Sequence, residues 1–295
     1  MQISLTGATG FLGRYVVDSL LAAGHSLRCS YRDGSDRSDF PANGIEWIEA
    51  ELGDSRAAER LVAGSDALVH AALWHPAGGF QGGEGDVVEF AERNVIGSLQ
   101  LFEAARTAGV GRVVFVSTCA VHDRILNDRP LDETHPLWPH SHYGAHKAAL
   151  EAFVSSFAFG HGLSICAIRP TGIYGVATPP EQSKWWDLVR RVAAGESVEC
   201  RGGGKEVHVA DVAAAITTLL TASGVEGNSY ACYDRYISRF EVAEIAKELS
   251  GSRATILGEA SSPKNQIETK RIRDLGVRFG GTERLRSTIA ELLQS

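Results

Sequence analysis

"LTGATGFLGRY", residues 5–15, decides how the rest of the chain is read. It joins an apolar β-type run, "ISLT" (3–6), to the start of a helical pattern, and it spaces Gly7, Gly10 and Gly13 across the junction. A strand that passes through a tight glycine turn into a helix N-terminus makes a pyrophosphate site. Positions without a Cβ let the backbone come close to the anion, and the helix dipole favours negative charge there. The stretch predicts a dinucleotide cradle made by Gly7, Thr9, Gly10, Phe11, Leu12 and Gly13.

Working outward, β-type runs recur at "LRCSY" (27–31), "IEWIEA" (45–50), "ALVHAA" (67–72), "RVVFVS" (112–117) and "LSICAIR" (163–169). Helical patterns lie between them, such as 14–24 and 94–109, each ending on a glycine. Alternating β and α elements predict an α/β fold: a Rossmann-type doubly wound parallel sheet with helices on both faces. After Pro170 the rhythm breaks, and 179–205 mixes proline, glycine, two tryptophans and charge. The expected organisation is a dinucleotide-binding domain over 1–171, to which 207–222 returns. Residues 172–206 and 223–295 form a smaller, interleaved C-terminal lobe for substrate. The glycine-dense stretch "AGGFQGGEG" (77–85) reads as a loop after the fourth strand, either a lid over the site or a passive linker.

Composition narrows the class. The 295 residues are 44% hydrophobic and 22% charged, as in an ordinary globular protein, and the formal charge of -7 argues against nucleic acid or an anionic membrane as partner. No apolar run reaches the ~20 residues that span a bilayer. The five cysteines are odd in number and scattered, which favours free thiols in the cytoplasm over disulfides or a zinc site.

Two further stretches carry chemistry. At the end of the second strand an acid selects NAD through the ribose hydroxyls, while an arginine suits the 2′-phosphate of NADP. The sequence has "SYRDG" (30–34), with Tyr31 in the acid position and Arg32 next, so the reading is NAD(P) leaning to NADP, with Arg32 as a solvated turn residue the alternative. In "SHYGAHKAALEAF" (141–153), Tyr143 and Lys147 stand at i and i+4 and so share one side of a helix. A phenol has a pKa of about 10, and a neighbouring ammonium favours its ionised form.

Taken together, the chain resembles the extended short-chain dehydrogenase/reductase family, the NAD(P)-dependent epimerase/dehydratase group. The signposts are the glycine loop, "GD" at 53–54, "HAA" at 70–72, "NVIGS" at 94–98, "VST" at 116–118, Tyr143-x-x-x-Lys147, "RPTGIYG" at 169–175 and "VHVADVA" at 207–213. The resemblance implies that Tyr143 transfers the proton and that Lys147 also holds the nicotinamide ribose. Thr118 would hydrogen-bond the reacting oxygen, with Ser117 a cofactor-side neighbour in the catalytic set. Leu52 and Asp54 would meet the adenine end, Ala71 and Ala72 would line the groove, and Pro170 to Ile173 would flank the nicotinamide. A homodimer acting on a small molecule is expected.

Departures from that pattern limit the reaction. Cys119 and Ala120 stand where dehydratases of the group carry an Asp-Glu pair, so loss of water is not expected. Gly172 replaces an asparagine, and Lys205 an arginine, that nucleotide-sugar enzymes use toward a diphosphate. Trp185 and Trp186 read as a sugar-stacking pair or as lobe packing. His122 and Asn94 read as satisfied polar groups, and Cys119 as a small buried hydrophobe. The leading expectation is hydride transfer on a secondary alcohol or ketone. A nucleotide-sugar epimerase is the alternative, and a non-catalytic NAD(P) sensor is a third reading that the Tyr–Lys pair opposes.

Overall fold

A computed structural model of the chain describes residues 1–76 and 82–295. The strands are β1 (Gln2–Thr6), β2 (Ser26–Tyr31), β3 (Ile45–Glu49), β4 (Ala67–His70), β5 (Arg112–Val116), β6 (Ile165–Pro170), β7 (Gly172–Tyr174), β8 (Val198–Cys200), β9 (Gly203–His208), β10 (Ser229–Cys232), β11 (Arg235–Ser238) and β12 (Ile256–Gly258). The helices are α1 (Phe11–Ala22), α2 (Ser55–Val62), α3 (Val87–Ala91), α4 (Gly97–Thr107), α5 (His142–His161), α6 (Trp186–Ala193), α7 (Val209–Thr221), α8 (Arg239–Ser250), α9 (Lys270–Asp274) and α10 (Gly281–Gln294).

Seven parallel strands form the large sheet in the order β10-β6-β5-β4-β1-β2-β3. The order reverses beside β1, and the crevice at such a switch point is where open α/β sheets bind ligands. Alternate strand residues feed two cores. Ile3, Leu5, Val69 and Val114 pack against Val16 and Leu20 of α1 and Ile216 and Leu219 of α7. On the other face Leu68, Val113 and Phe115 meet Leu61 of α2, Phe102 of α4 and Leu150 and Val154 of α5. Burial on both faces is why these strands read as continuous apolar runs.

A third core belongs to the smaller lobe and joins Tyr174, Leu188, Val192 and Val198 to Val242 of α8 and Leu285 and Ile289 of α10. Two short sheets accompany it, β11-β9-β7 and β12-β8. The lobe boundary differs from the expected one. Residues 229–232, assigned above to the lobe, pair in parallel with β6 and extend the large sheet, because Tyr230, Ala231 and Cys232 are buried there. Ile272 and Val277 also pack into the large core.

Helix α5 starts where the Ser141 hydroxyl accepts the Gly144 N–H at 3.0 Å, a side-chain cap for a helix that carries Tyr143 in its first turn. Gly144 permits that turn to pack closely, since a Cβ there would stand 2.6 Å from the Ala120 carbonyl oxygen. Ahead of α4 the chain forms a π-helical turn, Glu92–Ile96, that turns the Asn94 side chain inward.

Candidate active site

At the junction of β1 and α1, Gly7 adopts φ +76° and a Cβ on it would lie 2.9 Å from the Ala71 and Ala72 backbone. A Cβ on Gly13 would lie 2.0 Å from the Gly7 carbonyl oxygen. The loop is therefore a cradle that side chains would fill, and it fits the pyrophosphate of a dinucleotide. It opens into one cavity of about 1380 Å³ that runs along the carboxyl ends of β2, β1, β4, β5 and β6. Thr9, Gly10, Phe11 and Leu12 line it near the cradle, and Arg32, Leu52 and Asp54 line the adenosine end expected from the sequence. Ala71, Ala72, Ser117, Thr118, Tyr143, Lys147, Pro170 and Ile173 line the other end. Asp54 also caps α2 by accepting the Ala57 N–H at 3.0 Å.

The wall after β4 is held by a chain of buried hydrogen bonds that the sequence did not disclose. Thr6 Oγ1 accepts the Ala71 and Ala72 N–H groups at 3.2 and 3.1 Å, which leaves its single hydrogen for His70 Nδ1 at 2.7 Å. His70 then carries its hydrogen on Nε2, toward Ser98 Oγ at 2.8 Å, and Ser98 donates to the Asn94 carbonyl. The Asn94 side chain accepts the Trp74 N–H at 2.8 Å and donates to the Trp74 carbonyl at 2.9 Å, a backbone role as expected. Burial lowers the His70 pKa to about 3, with the nearby Lys147 charge acting the same way, so the ring stays neutral.

Across the cavity the Thr118 and Tyr143 side chains share one wall, close enough for the Thr118 hydroxyl to act on the phenol. Burial raises the phenol's pKa above its ordinary value, and the nearby Thr118 hydroxyl opposes the rise. The expected lowering by Lys147 is not what this structure shows. Lys147 Nζ instead donates to the Val116 carbonyl at 2.8 Å and lies 4.7 Å from the centre of the Phe115 ring. Glu84, from the described end of the glycine-rich loop, accepts the Tyr143 backbone N–H at 3.2 Å, placing a carboxylate at the α5 N-terminus. Residues 77–81 of the expected lid lie outside the described residues.

Ser117 is the correction within the expected catalytic set. Its hydroxyl donates to Glu151 and not toward Tyr143, because Glu151 anchors a buried network of its own. Arg169 Nε donates to Glu151 at 3.0 and 2.9 Å, and Ser229 donates to it at 2.7 Å. Arg169 also reaches His122 Nε2 at 3.1 Å. His122 lines the cavity, and burial with the Arg169 charge lowers its pKa to about 4. The Cys119 thiol donates to the Arg169 carbonyl at 3.0 Å and is pushed up to about 12 by burial, so it is not a nucleophile. Trp185 and Trp186 pack against the lobe core, with the Trp185 ring 5.2 Å from Tyr174, and so do not stack over the site.

Lys147 offers a test of this burial. Desolvation lowers its pKa from 10.5 to about 7, with Glu151 opposing. Between those values the unfolded chain binds the proton and the folded chain does not, so this residue makes stability rise with pH. Lys147→Met is expected to flatten that rise when urea midpoints are compared across the interval. Equal slopes in the two proteins would contradict the assignment.

A glycine cradle at the first β–α junction, continuous with a Tyr–Thr pair at the ends of α5 and β5, defines a dinucleotide-binding protein of the doubly wound class. Residues 3–232 match the NAD dependent epimerase/dehydratase family, and the chain belongs to it. The chain is 35% identical over 180 residues to a 4-hydroxy-2-methyl-3-oxo-4-farnesyl-3,4-dihydroquinoline-1-oxide ketoreductase of Stigmatella aurantiaca, a match covering 59% of this chain and 51% of that protein. It is 31% identical over 168 residues to a uronate dehydrogenase of Pseudomonas syringae, covering 57% and 58%. The chain thus spans between half and three-fifths of the length of these relatives. Its fold is that of the UDP-glucose 4-epimerase of Thermus thermophilus solved with NAD, with a TM-score of 0.79 over the whole of both chains at 24% identity.

Proposed function

We propose that the chain moves hydride between a nicotinamide cofactor and a secondary alcohol or ketone, or a lactol and lactone, of a small or sugar-like substrate. The observation that carries this reading is the placing of Thr118, Tyr143 and Lys147 in the wall of the one cavity that also holds the glycine cradle. The bound nicotinamide supplies or accepts the hydride. Thr118 holds the reacting oxygen, and Tyr143 exchanges the proton with it. A phenol whose pKa is raised by burial keeps its proton, which prepares Tyr143 to donate to the oxygen of a ketone being reduced. The matches to a ketoreductase and a dehydrogenase support this reading. The absence of acids at 119 and 120 opposes dehydration.

The fold of a UDP-glucose 4-epimerase keeps a second reading open, with hydride returned to the same substrate. A panel of sugars, sugar acids and ketones with NAD and NADP separates the two. Net change in reduced-cofactor absorbance indicates a dehydrogenase or reductase; product without it indicates an epimerase.

For the cofactor, the reading is NAD(P) leaning to NADP. Arg32 is exposed at the adenosine end of the cavity, and its side chain has no ion pair or hydrogen bond among the described residues. Arg14 is taken by Asp36 and Asp39. Arg32→Ala is expected to weaken NADP by about 1.5–3 kcal/mol, a lost charged hydrogen bond, and NAD far less. Equal losses by calorimetry would remove Arg32 from the site. A homodimer is proposed through the exposed apolar side chains Val88, Ile96 and Phe153 on neighbouring helical segments. The five free cysteines support a reducing cytoplasm, and no helix among the described residues is long and apolar enough to cross a membrane.

A further inference from the structure

Where the cavity meets the smaller lobe, its wall carries a charge arrangement that the motifs do not explain. The Glu206 side chain is 3% exposed, and both its oxygens accept from Lys184 Nζ at 2.6 Å. Room for the carboxylate comes from two glycines. A Cβ on Gly172, its register partner on β7, would lie 2.5 Å from Glu206 Oε2, and a Cβ on Gly204 would lie 2.1 Å from Oε1. The next residue after Lys184 is Trp185, which adopts φ +72°, the one such non-glycine among the described residues. Backbone strain of that kind costs about 1–3 kcal/mol and persists where the surroundings impose it. Strain, two glycines and a buried carboxylate all act to fix one ammonium on the cavity wall with its charge neutralised.

Lys205, the residue before Glu206, also lines the cavity and has no ion pair or hydrogen bond among the described residues. It sits close enough to Cys119, which follows Thr118, for the two to interact electrostatically. Asp123 lines the cavity as well and accepts the His140 N–H at 2.7 Å. Lys205 is therefore the uncompensated cation of this wall. A diphosphate would bring about two charges against that one cation, because the Lys184–Glu206 pair adds no net charge to the wall. A monoanion is matched.

We propose that Lys205, Lys184 and Glu206 select a substrate bearing a single carboxylate beside its reacting alcohol or ketone and exclude nucleotide diphosphates, with Lys184 donating to a neutral substrate oxygen. This rests on the oxidoreductase reading above. The test uses the cofactor-loaded protein and three probes, glucuronate, glucose and UDP, with affinities from calorimetry and turnover from nicotinamide absorbance. Glucuronate should bind tighter than glucose by about 10- to 100-fold, the worth of one charged hydrogen bond. Lys205→Met should erase that preference, and Lys205→Arg should keep it. Glu206→Gln, which leaves Lys184 uncompensated, should strengthen UDP binding. UDP binding tighter than glucuronate, no glucuronate binding at millimolar concentration, or equal losses of glucose and glucuronate in Lys205→Met would each overturn the assignment. Affinities in the expected order without turnover of any sugar would support the charge assignment while counting against hydride transfer.

Discussion

Tyr143→Phe is expected to lower turnover by at least about 10²–10⁴-fold, the range for losing a general acid–base group, while cofactor affinity stays near that of the wild type. The reasoning is local. The ring is half-buried at the start of α5, where Ser141 caps the helix and Gly144 lets it press against Ala120, so phenylalanine occupies the same space. Only the oxygen that meets Thr118 is removed. The cradle at Gly7 and Gly13 lies at the other end of the cavity wall and is untouched. Steady-state kinetics and a cofactor titration on the same preparation check both halves. Activity within a few-fold of wild type would remove Tyr143 from the chemistry.

The largest expected loss of stability comes from Arg169→Met. Arg169 and Glu151 are 5% and 3% exposed, and the guanidinium meets both carboxylate oxygens. Removing one partner strands a buried charge, which costs about 3–5 kcal/mol. Ser117 and Ser229 would remain on Glu151 and offset part of that cost, but two hydroxyls do not neutralise a carboxylate. His122 would also lose the donor to its Nε2. Adding Glu151→Leu should recover part of the loss, because the stranded charge goes with it. Urea midpoints of the single and double variants measure both effects. A single variant as stable as wild type would mean that the pair is not buried in solution.

The stretch at 5–15 carried most of the fold. Glycine spacing at a strand–helix junction, followed by alternating apolar runs, predicts a doubly wound sheet, and the chain has that sheet. The expected strand at 67–72 stops at His70 because the Ala71 and Ala72 N–H groups turn to Thr6. The strand at 229–232 is too short to show by itself whether it joins the large sheet or the lobe; its pairing with β6 is a tertiary choice.

Within the site, spacing placed Tyr143 and Lys147 on one helix, but it could not tell where the ammonium goes. Burial and the Val116 carbonyl decide that. A signal for Glu151 was present, since it continues the same helix face one turn beyond Lys147. Its partner on another strand is not legible in the sequence, so Ser117 reads as a cofactor-side neighbour of Thr118, whereas its hydroxyl donates to Glu151. The Thr6–His70–Ser98 chain joins residues far apart in sequence, and no local pattern marks it. Gly172 and Gly204 take their meaning from Glu206, whose carboxylate lies where their Cβ atoms would stand, and no local pattern marks that.

The central claim is that the glycine cradle and the Thr118–Tyr143 pair serve one nucleotide. A crystal structure of the chain with NADP tests it without knowledge of the substrate. The account predicts the pyrophosphate on the Gly7–Gly13 turn, the 2′-phosphate at Arg32, and the nicotinamide between Pro170 and Tyr143, with space for a reacting atom about 3–3.5 Å from Tyr143 Oη. A nucleotide bound with its nicotinamide outside that space, or a cavity that takes no nucleotide, would contradict it.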